Sequence, residues 1–560
     1  MLFQMSSPFS GKAFSSPLLG LLLIVTLCCP FSVLASESSA PVAVEVKYRI
    51  VATADLHGAA CSWDFSLGKP AGKSVAAVAG LVRSLRLENE GQVSLVDAGD
   101  FLQGSPLGAL HESTMSHMAN PMISAMNIAG YEVVVPGNHE FDYGREYLGK
   151  ALKQSGAPWL AANLSDDMGI LQVIPWTIKD LSGVGKGPFV GFVGFTSPGV
   201  KKWVDPDNVT GLHFEDIMTC AGKVIPGLRE RLGLDALVAV IHGGIGPRPG
   251  HRLFMTGEKV LDNMGYMLGH AFPQIDAVIM SHTHRSELEK VPGGPLLIQP
   301  SSHGRQVAVV SLIFNGCSAG NWSLQQVDGS IVPIDEKRPV SPFVDRALEY
   351  RRTRTEKMLS QEITTMQGSY EETFDPLSDS PVLDLIHRVQ LRESGAQISL
   401  VSPNFKNITL ADGPLTLRDV FSLYPYENRL VMVEITGRNL KSVLEESLSH
   451  VVIKNNKRDL RIPVYLYLTV EGVDLVVDPA LPEGSRIVSM IRGDGQVGDN
   501  DLLTVAVNSY MVNDGGAYDP LSSSRKVWKS SRGIRDMLAS ELSSMAVYNP
   551  HCTGNVRVVE

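Results

Sequence analysis

Five short apolar runs each end in residues that bind cations or move protons. Ile50-Val51-Ala52-Thr53-Ala54 leads into Asp55-Leu56-His57, Ser94-Leu95-Val96-Asp97 into Ala98-Gly99-Asp100, and Val133-Val134-Val135 into Pro136-Gly137-Asn138-His139. Val238-Ala239-Val240-Ile241 ends in His242-Gly243-Gly244, and Val278-Ile279-Met280 in Ser281-His282-Thr283-His284. Aspartate, asparagine and histidine offer oxygen and imidazole nitrogen, a donor mixture suited to divalent metals of intermediate hardness. Singly the motifs are weak. Asp-x-His occurs in solvated loops, Asn-His-Glu can be a turn with a helix cap, and His-x-His can be two alternating strand residues. Their joint arrival at strand ends carries the chemistry, because loops beyond the carboxyl ends of strands line the crevice of an open α/β sheet.

The runs that position those ends are β-rich: residues 48–52, 93–96, 132–135, 189–195, 237–241 and 277–280. Amphipathic helical stretches at 75–87 and 145–154 lie between them, so the spacing predicts a layered α/β domain from about 45 to 332. Residues 342–361 carry a helical pattern among many arginines, expected as a surface helix with solvated charges joining two domains. After about Thr364 the texture changes to strands at 430–435, 464–470 and 502–507 with a helix at 437–449, which predicts a second, α+β domain.

A chain of 560 residues, 44% hydrophobic and 19% charged, can bury more than one core. Its formal net charge of −10 gives no general attraction to duplex nucleic acid or an anionic membrane. A phosphate-bearing substrate must then meet local positive charge, which bound metal can supply. Lys12 is the only charged residue before Glu37, and an apolar stretch ends at Ser32-Val33-Leu34-Ala35. Residues 1–35 are therefore expected to be an export signal cleaved after Ala35, placing the protein in the periplasm or outside the cell. Pro30 and the short apolar core oppose a permanent membrane anchor. Cys61, Cys220, Cys317 and Cys552 would remain, without metal-knuckle spacing, and an oxidising compartment would permit three disulfide pairings.

Asp-x-His, Gly-Asp, Gly-Asn-His-Glu, a lone His-Gly and His-x-His, in this order, resemble the calcineurin-like metallophosphoesterases. Tyr424-Pro425-Tyr426-Glu427-Asn428, Ile435-Thr436-Gly437, Gly472-Val473-Asp474, Asn508-Ser509-Tyr510 and Gly515-Gly516 are similar to the secreted nucleotidase branch. The resemblance implies an α/β fold: a four-layer metallophosphoesterase domain over 45–338 (a β-sandwich flanked by helices), a linker helix over 339–363, and an α+β nucleotide-binding domain over 364–560. It implies two divalent ions, manganese, zinc, cobalt or iron. Asp55, His57 and His284 would hold the first and Asn138, His242 and His282 the second, with Asp100 bridging. Ions about 3.5–4 Å apart can clamp phosphoryl oxygens and lower the pKa of a shared water. His139 would be the catalytic histidine with Asp142 as its partner, although Asp142 also suits a helix start. Tyr426 and Tyr510 would clamp a nucleobase, which suits any base because each has a π-face, and Asn428 would hydrogen-bond it.

The chain departs from the 5′-nucleotidases where they carry Asn-x-Gly-Gly-Ile-Arg. It reads Leu400-Val401-Ser402-Pro403-Asn404-Phe405-Lys406-Asn407, and lysine lacks the planar fork of the missing arginine. Gly515-Gly516-Ala517-Tyr518 also lacks an acidic residue common in that loop. Asp55-Leu56-His57-Gly58, Asp64-Phe65 and Gly99-Asp100-Phe101-Leu102-Gln103-Gly104-Ser105-Pro106 are similar to the 2′,3′-cyclic-nucleotide 2′-phosphodiesterases/3′-nucleotidases, while Met511 replaces an arginine frequent in that group. The expected activity is hydrolysis of 2′,3′-cyclic nucleotides and 3′-nucleotides. The alternatives are a 5′-nucleotidase or UDP-sugar hydrolase, and a secreted nucleotide-binding protein without catalysis, which retention of every metal ligand opposes.

Overall fold

Along the strand Ala43–Thr53, Tyr48, Ile50 and Ala52 pack to one side and Val51 to the other. That period of two is expected of a strand covered on both faces. In this computed structural model, which describes residues 43–88, 92–247, 262–317, 320–335, 337, 339–454, 457–513 and 518–559, the strand is central. It pairs parallel with Val93–Asp97 and antiparallel with Gln306–Cys317. The sheet runs Ser323–Pro333, Gln306–Cys317, Ala43–Thr53, Val93–Asp97, Tyr131–Val134. The expected export signal at 1–35 and the Gly515-Gly516-Ala517 stretch lie outside the described residues.

A second sheet has the order Glu287–Lys290, Leu296–Gln299, Ala277–Ile279, Ala236–Ile241, Phe189–Phe195, Trp176–Asp180. Its strands Phe189–Phe195, Ala236–Ile241, Ala277–Ile279 and Leu296–Gln299 pair in parallel. Ile50, Val96 and Val133 of the first sheet meet Phe192, Val238 and Ile279 of the second in one buried core. Each large apolar side chain fully buried there contributes about 1.5–3 kcal/mol. The outer face of the first sheet is covered by the helices Val75–Glu88, Pro106–Met115 and Pro121–Ala129. That of the second packs on Ile217–Val224, Leu228–Leu232 and Gly265–Ala271. The expected sandwich flanked by helices is the observed architecture. Local sequence starts these helices: Asn120 accepts from the N–H groups of Met122 and Ile123, and Pro121 fills the first turn, where its missing N–H costs nothing.

The C-terminal half builds its own core around a sheet ordered Thr469–Glu471, Ile398–Val401, Leu502–Asn508, Arg429–Thr436, Arg525–Gly533. The helices Pro381–Ser394, Gly437–Ser449 and Ile534–Ser543 pack into it. Residues 464–470, expected as one strand, instead form a 3₁₀ turn, Val464–Leu466, and the short strand Thr469–Glu471. Leu466 and Tyr467 donate their N–H groups back to Pro463 and Val464, which removes them from the ladder.

The helix Pro342–Leu359 differs from its expected solvated character. Val344, Leu348 and Leu359 are buried in the N-terminal core, and Asp345 accepts the N–H of Ser62 at 2.9 Å. Glu356 takes the indole N–H of Trp63 at 2.7 Å and pairs with Arg418 at 2.8 Å. Arg418 also donates to the Phe65 carbonyl, so this corner joins the two halves. Cys61, Cys220, Cys317 and Cys552 are free thiols, and no helix among the described residues is long and apolar enough to cross a membrane.

Candidate active site

All five strand ends open on one edge of the sandwich, and the turns that follow them are strained. Among the described residues, six non-glycine positions have positive φ: Asp55 (51°), His57 (45°), Asp100 (62°), His282 (73°), His284 (57°) and His303 (57°). Left-handed backbone is unfavourable for residues with a Cβ and persists where the surroundings over-determine it, typically at functional sites. Glycine is required between them. Gly99 has φ 100°, and a Cβ there would stand 2.7 Å from His242 Nδ1.

The turns bring Asp55, His57 and His284 together, with donor atoms within 4.8 Å of one another, and Asp100, His242 and His282 likewise. Asn138 joins the second group, its Oδ1 standing 3.0 Å from His242 Nε2. The hydrogen bonds behind these residues suit a cation. His242 Nδ1 lies 2.8 Å from the Ala98 carbonyl and His57 Nδ1 lies 3.2 Å from that of Gln103. A carbonyl only accepts, so both Nδ1 atoms carry protons, and in its neutral form each ring presents a bare Nε2 lone pair. The Nε2 of His242 faces Asn138 Oδ1 and, at 3.2 Å, Asp100 Oδ2, a convergence of acceptors that a cation would satisfy. His57 Nε2 and His284 Nε2 stand 2.9 Å apart.

Electrostatics agree with that fit. Burial pushes Asp55 above the usual carboxylate range. Burial also opposes the charge on Asp100, but His242 and His139 overcome it and hold that carboxyl well below the usual range. In His242, burial is outweighed by Asp100 and the ring rises to about 9, so in the protein alone a proton takes the cation's place. Burial, with help from neighbouring imidazoles, lowers His282 to about 3 and His284 to about 4, leaving neutral rings fit to ligate.

His139 follows Asn138 at the start of a single 3₁₀ turn, and its Nδ1 is 2.7 Å from Asp142 Oδ2. Asp142 thus orients an imidazole and also ends that turn. Burial would lower His139, yet Asp142 and Asp100 raise it to about 10, so it is an imidazolium near neutrality. Asn208 Nδ2 donates to the Asp142 carbonyl at 2.6 Å and fixes the turn from outside.

The three residues expected to bind a base lie on the C-terminal half. Tyr426 is 37% exposed on the loop before Arg429–Thr436, and Tyr510 sits on the short helix Ser509–Val512. Asn428 Nδ2 donates to the Tyr424 hydroxyl at 3.3 Å, and the next N–H, of Arg429, donates to Ser509 Oγ at 3.2 Å, which brings the two segments side by side. Tyr510 meets Tyr465 edge-on at 6.4 Å, a neighbour the sequence did not single out. Burial raises Glu427, next to Tyr426, above the usual carboxylate range against the pull of Arg535, and the charges of Asp536 and Asp142 add to the rise.

Residues 48–286 match the calcineurin-like phosphoesterase family and residues 362–523 the 5′-nucleotidase C-terminal domain family. Residues 48–286 therefore form a calcineurin-like phosphoesterase domain. This phosphoesterase is 27% identical over 549 residues to the 2′,3′-cyclic-nucleotide 2′-phosphodiesterase/3′-nucleotidase of Salmonella typhimurium, covering 84% of this chain and 82% of that protein. It is 25% identical over 608 residues to the trifunctional nucleotide phosphoesterase protein of Bacillus subtilis, where the match takes in 95% of this chain and 40% of the relative. In fold it is similar to a Staphylococcus aureus protein described as a candidate 5′-nucleotidase and solved with alpha-ketoglutarate. The TM-score is 0.79 at 23% identity, over 92% of this chain and 100% of that one.

The phosphoesterase fold also brings in residues that sequence reasoning passed over. Glu140, the last residue of Gly-Asn-His-Glu, is fully buried and accepts the N–H groups of Asp100, Phe101, Leu102 and Gly137 at 2.6–2.9 Å. It ties two of the strand-end turns together. Trp203 stacks on His282 at 4.9 Å, and two residues on, Asp205 pairs with Lys529 at 2.6 Å, so the C-terminal half braces the segment beside a candidate ligand. His303 follows a sixth strand, Leu296–Gln299, whose Leu296-Leu297-Ile298 run carries the same apolar-then-polar signal as the other five.

Proposed function

We propose that this phosphoesterase hydrolyses nucleotide phosphoesters at a two-metal centre, with 2′,3′-cyclic nucleotides and 3′-nucleotides as its preferred substrates. The observation that carries the reading is the convergence of Asp55, His57 and His284 with Asp100, His242 and His282 at one sandwich edge, beside the His139–Asp142 pair. Asp55, His57 and His284 would hold one divalent ion, Asn138, His242 and His282 the other, and Asp100 both. Bound there, the ions would polarise the phosphoryl oxygens and activate water. The protein's own part is orientation and proton transfer. The Ala98 and Gln103 carbonyls fix His242 and His57 in one tautomer. Asp142 holds the His139 ring by Nδ1, and the imidazolium delivers a proton from Nε2 to the leaving ribose oxygen. Tyr426, Tyr510 and Asn428 would hold the base.

The absence of arginine from 402–407 favours a singly charged diester over a 5′-monophosphate dianion, whose extra charge needs a further cation. The activity for which the Salmonella relative is named supports the same choice. A 5′-nucleotidase reading draws on the C-terminal family match and on Met511. Export to the periplasm or beyond rests on residues 1–35. Specificity constants for 2′,3′-cyclic AMP, 3′-AMP and 5′-AMP, measured side by side with manganese, zinc, cobalt or iron, decide between the readings. A clear preference for 5′-AMP would overturn the cyclic assignment.

A further inference from the structure

His303, the sixth residue with strained backbone, has no part in the chemistry above, and its surroundings suit it to one. Its N–H donates to the Asp55 carbonyl at 2.8 Å, and Gly304 beside it, at φ 63°, packs so closely that a Cβ would stand 3.1 Å from the Ser74 nitrogen. Left-handed backbone is costly for a residue with a Cβ such as His303, while Gly304 takes it freely, so the His303 turn is held by its contacts with the strand-end loops. The His303 ring lies 5.1 Å from that of His57 and 5.8 Å from that of His284, while His57 meets His139 at 5.3 Å. His57 is buried, whereas His139, His284 and His303 are partly exposed. His139 and His303 thus flank the candidate ligands His57 and His284. His303 stands outside both clusters of converging donor atoms.

A chain of hydrogen bonds sets its tautomer. Arg305 Nη1 donates to Ser302 Oγ at 3.3 Å, and Ser302 Oγ is 2.8 Å from His303 Nδ1. Ser302 is fully buried, and a buried hydroxyl proton needs an acceptor. Among the described residues His303 Nδ1 is the acceptor that the Ser302 hydroxyl reaches, so the ring proton sits on Nε2. No hydrogen bond among the described residues engages that Nε2.

We infer that His303 is a substrate-contacting residue, whose Nε2–H donates to a non-bridging oxygen of the bound phosphoester with the Arg305 charge behind it. The pair supplies from the first half of the chain part of the anion recognition that residues 402–407 lack. The inference rests on the two-metal reading of the same site. The test uses purified, metal-loaded protein and bis-p-nitrophenyl phosphate, an ester with no nucleoside, with inorganic phosphate as competing inhibitor. His303→Ala and His303→Phe should each lower kcat/KM about 10- to 100-fold and weaken phosphate inhibition, the scale of one hydrogen bond to a charged group, at unchanged metal content. His303→Gln, which keeps an N–H donor, should recover part of the loss. Recovery in His303→Phe would mean that the ring only packs against His57 and would overturn the inference, as would metal loss parallel to activity or unaltered kinetics in all three variants. If the parent protein cleaves no phosphoester with any divalent metal, the two-metal reading fails and takes this inference with it.

Discussion

Asp100 Oδ1 accepts the backbone N–H of His139 at 2.8 Å. The other oxygen of the same carboxylate, Oδ2, lies 3.2 Å from His242 Nε2. One buried side chain therefore positions the proposed proton donor and faces the proposed second metal site. Asp100→Asn keeps the shape and removes the charge. It should abolish turnover more completely than alanine at any terminal ligand, with metal per chain falling in parallel. Elemental analysis alongside kinetics checks this, and full occupancy with near-normal turnover would exclude a bridging role.

His139→Ala should leave both metals in place while turnover falls by about 10²–10⁴-fold, the usual scale for a lost acid–base group. Asp142→Asn should cost less but move the pH profile. Against burial, Asp142 and Asp100 hold His139 up to about 10, so the active imidazolium is lost only in the alkaline range. Removing the Asp142 charge lowers that pKa, and the alkaline limb of kcat should shift toward neutrality. An unmoved limb would assign the proton to another group.

Tyr426→Ala and Tyr510→Ala should each raise KM for nucleotides by about 5- to 150-fold, the worth of one stacking face. Bis-p-nitrophenyl phosphate turnover should be spared. The Tyr465 ring beside Tyr510 adds a control, because Tyr465→Ala should weaken nucleotide use through Tyr510 alone. Equal losses on both substrates would show that the rings support the fold.

His387 makes the stability of the C-terminal half acid-sensitive. Buried between Ser399 Oγ and Thr469 Oγ1, each 2.9 Å away, its ring is pushed by burial down to about 3 from an ordinary 6.5. The unfolded chain takes up the proton first as pH falls. The stability this neutral ring secures is complete above about 6.5 and is lost progressively as pH drops through about 3, on the order of 5 kcal/mol if the shift is fully expressed. His387→Gln, which can keep both hydrogen bonds, should flatten the loss between pH 7 and pH 4 in urea titrations. An unchanged slope would remove His387 from the account.

The strand ends and most helices were legible in the amino-acid sequence, because apolar runs, β-branched residues and capping pairs such as Asn120-Pro121 act within a short window of chain. The order of Asp55, His57, Asp100, Asn138, His242, His282 and His284 pointed to one edge of a sheet for the same reason. Tertiary structure decided what the side chains meet. Glu140 became a clamp only when four backbone N–H groups from two separate loops reached it. Glu356 looked solvated until Arg418 and Trp63 closed on it. Periodicity reports which face is apolar and says nothing about partners brought from distant chain. The left-handed turns at Asp55, His57, Asp100, His282, His284 and His303 run against local preference, so no window of sequence encodes them. They exist because the packed sheets and the loops around them leave those residues no other place to go.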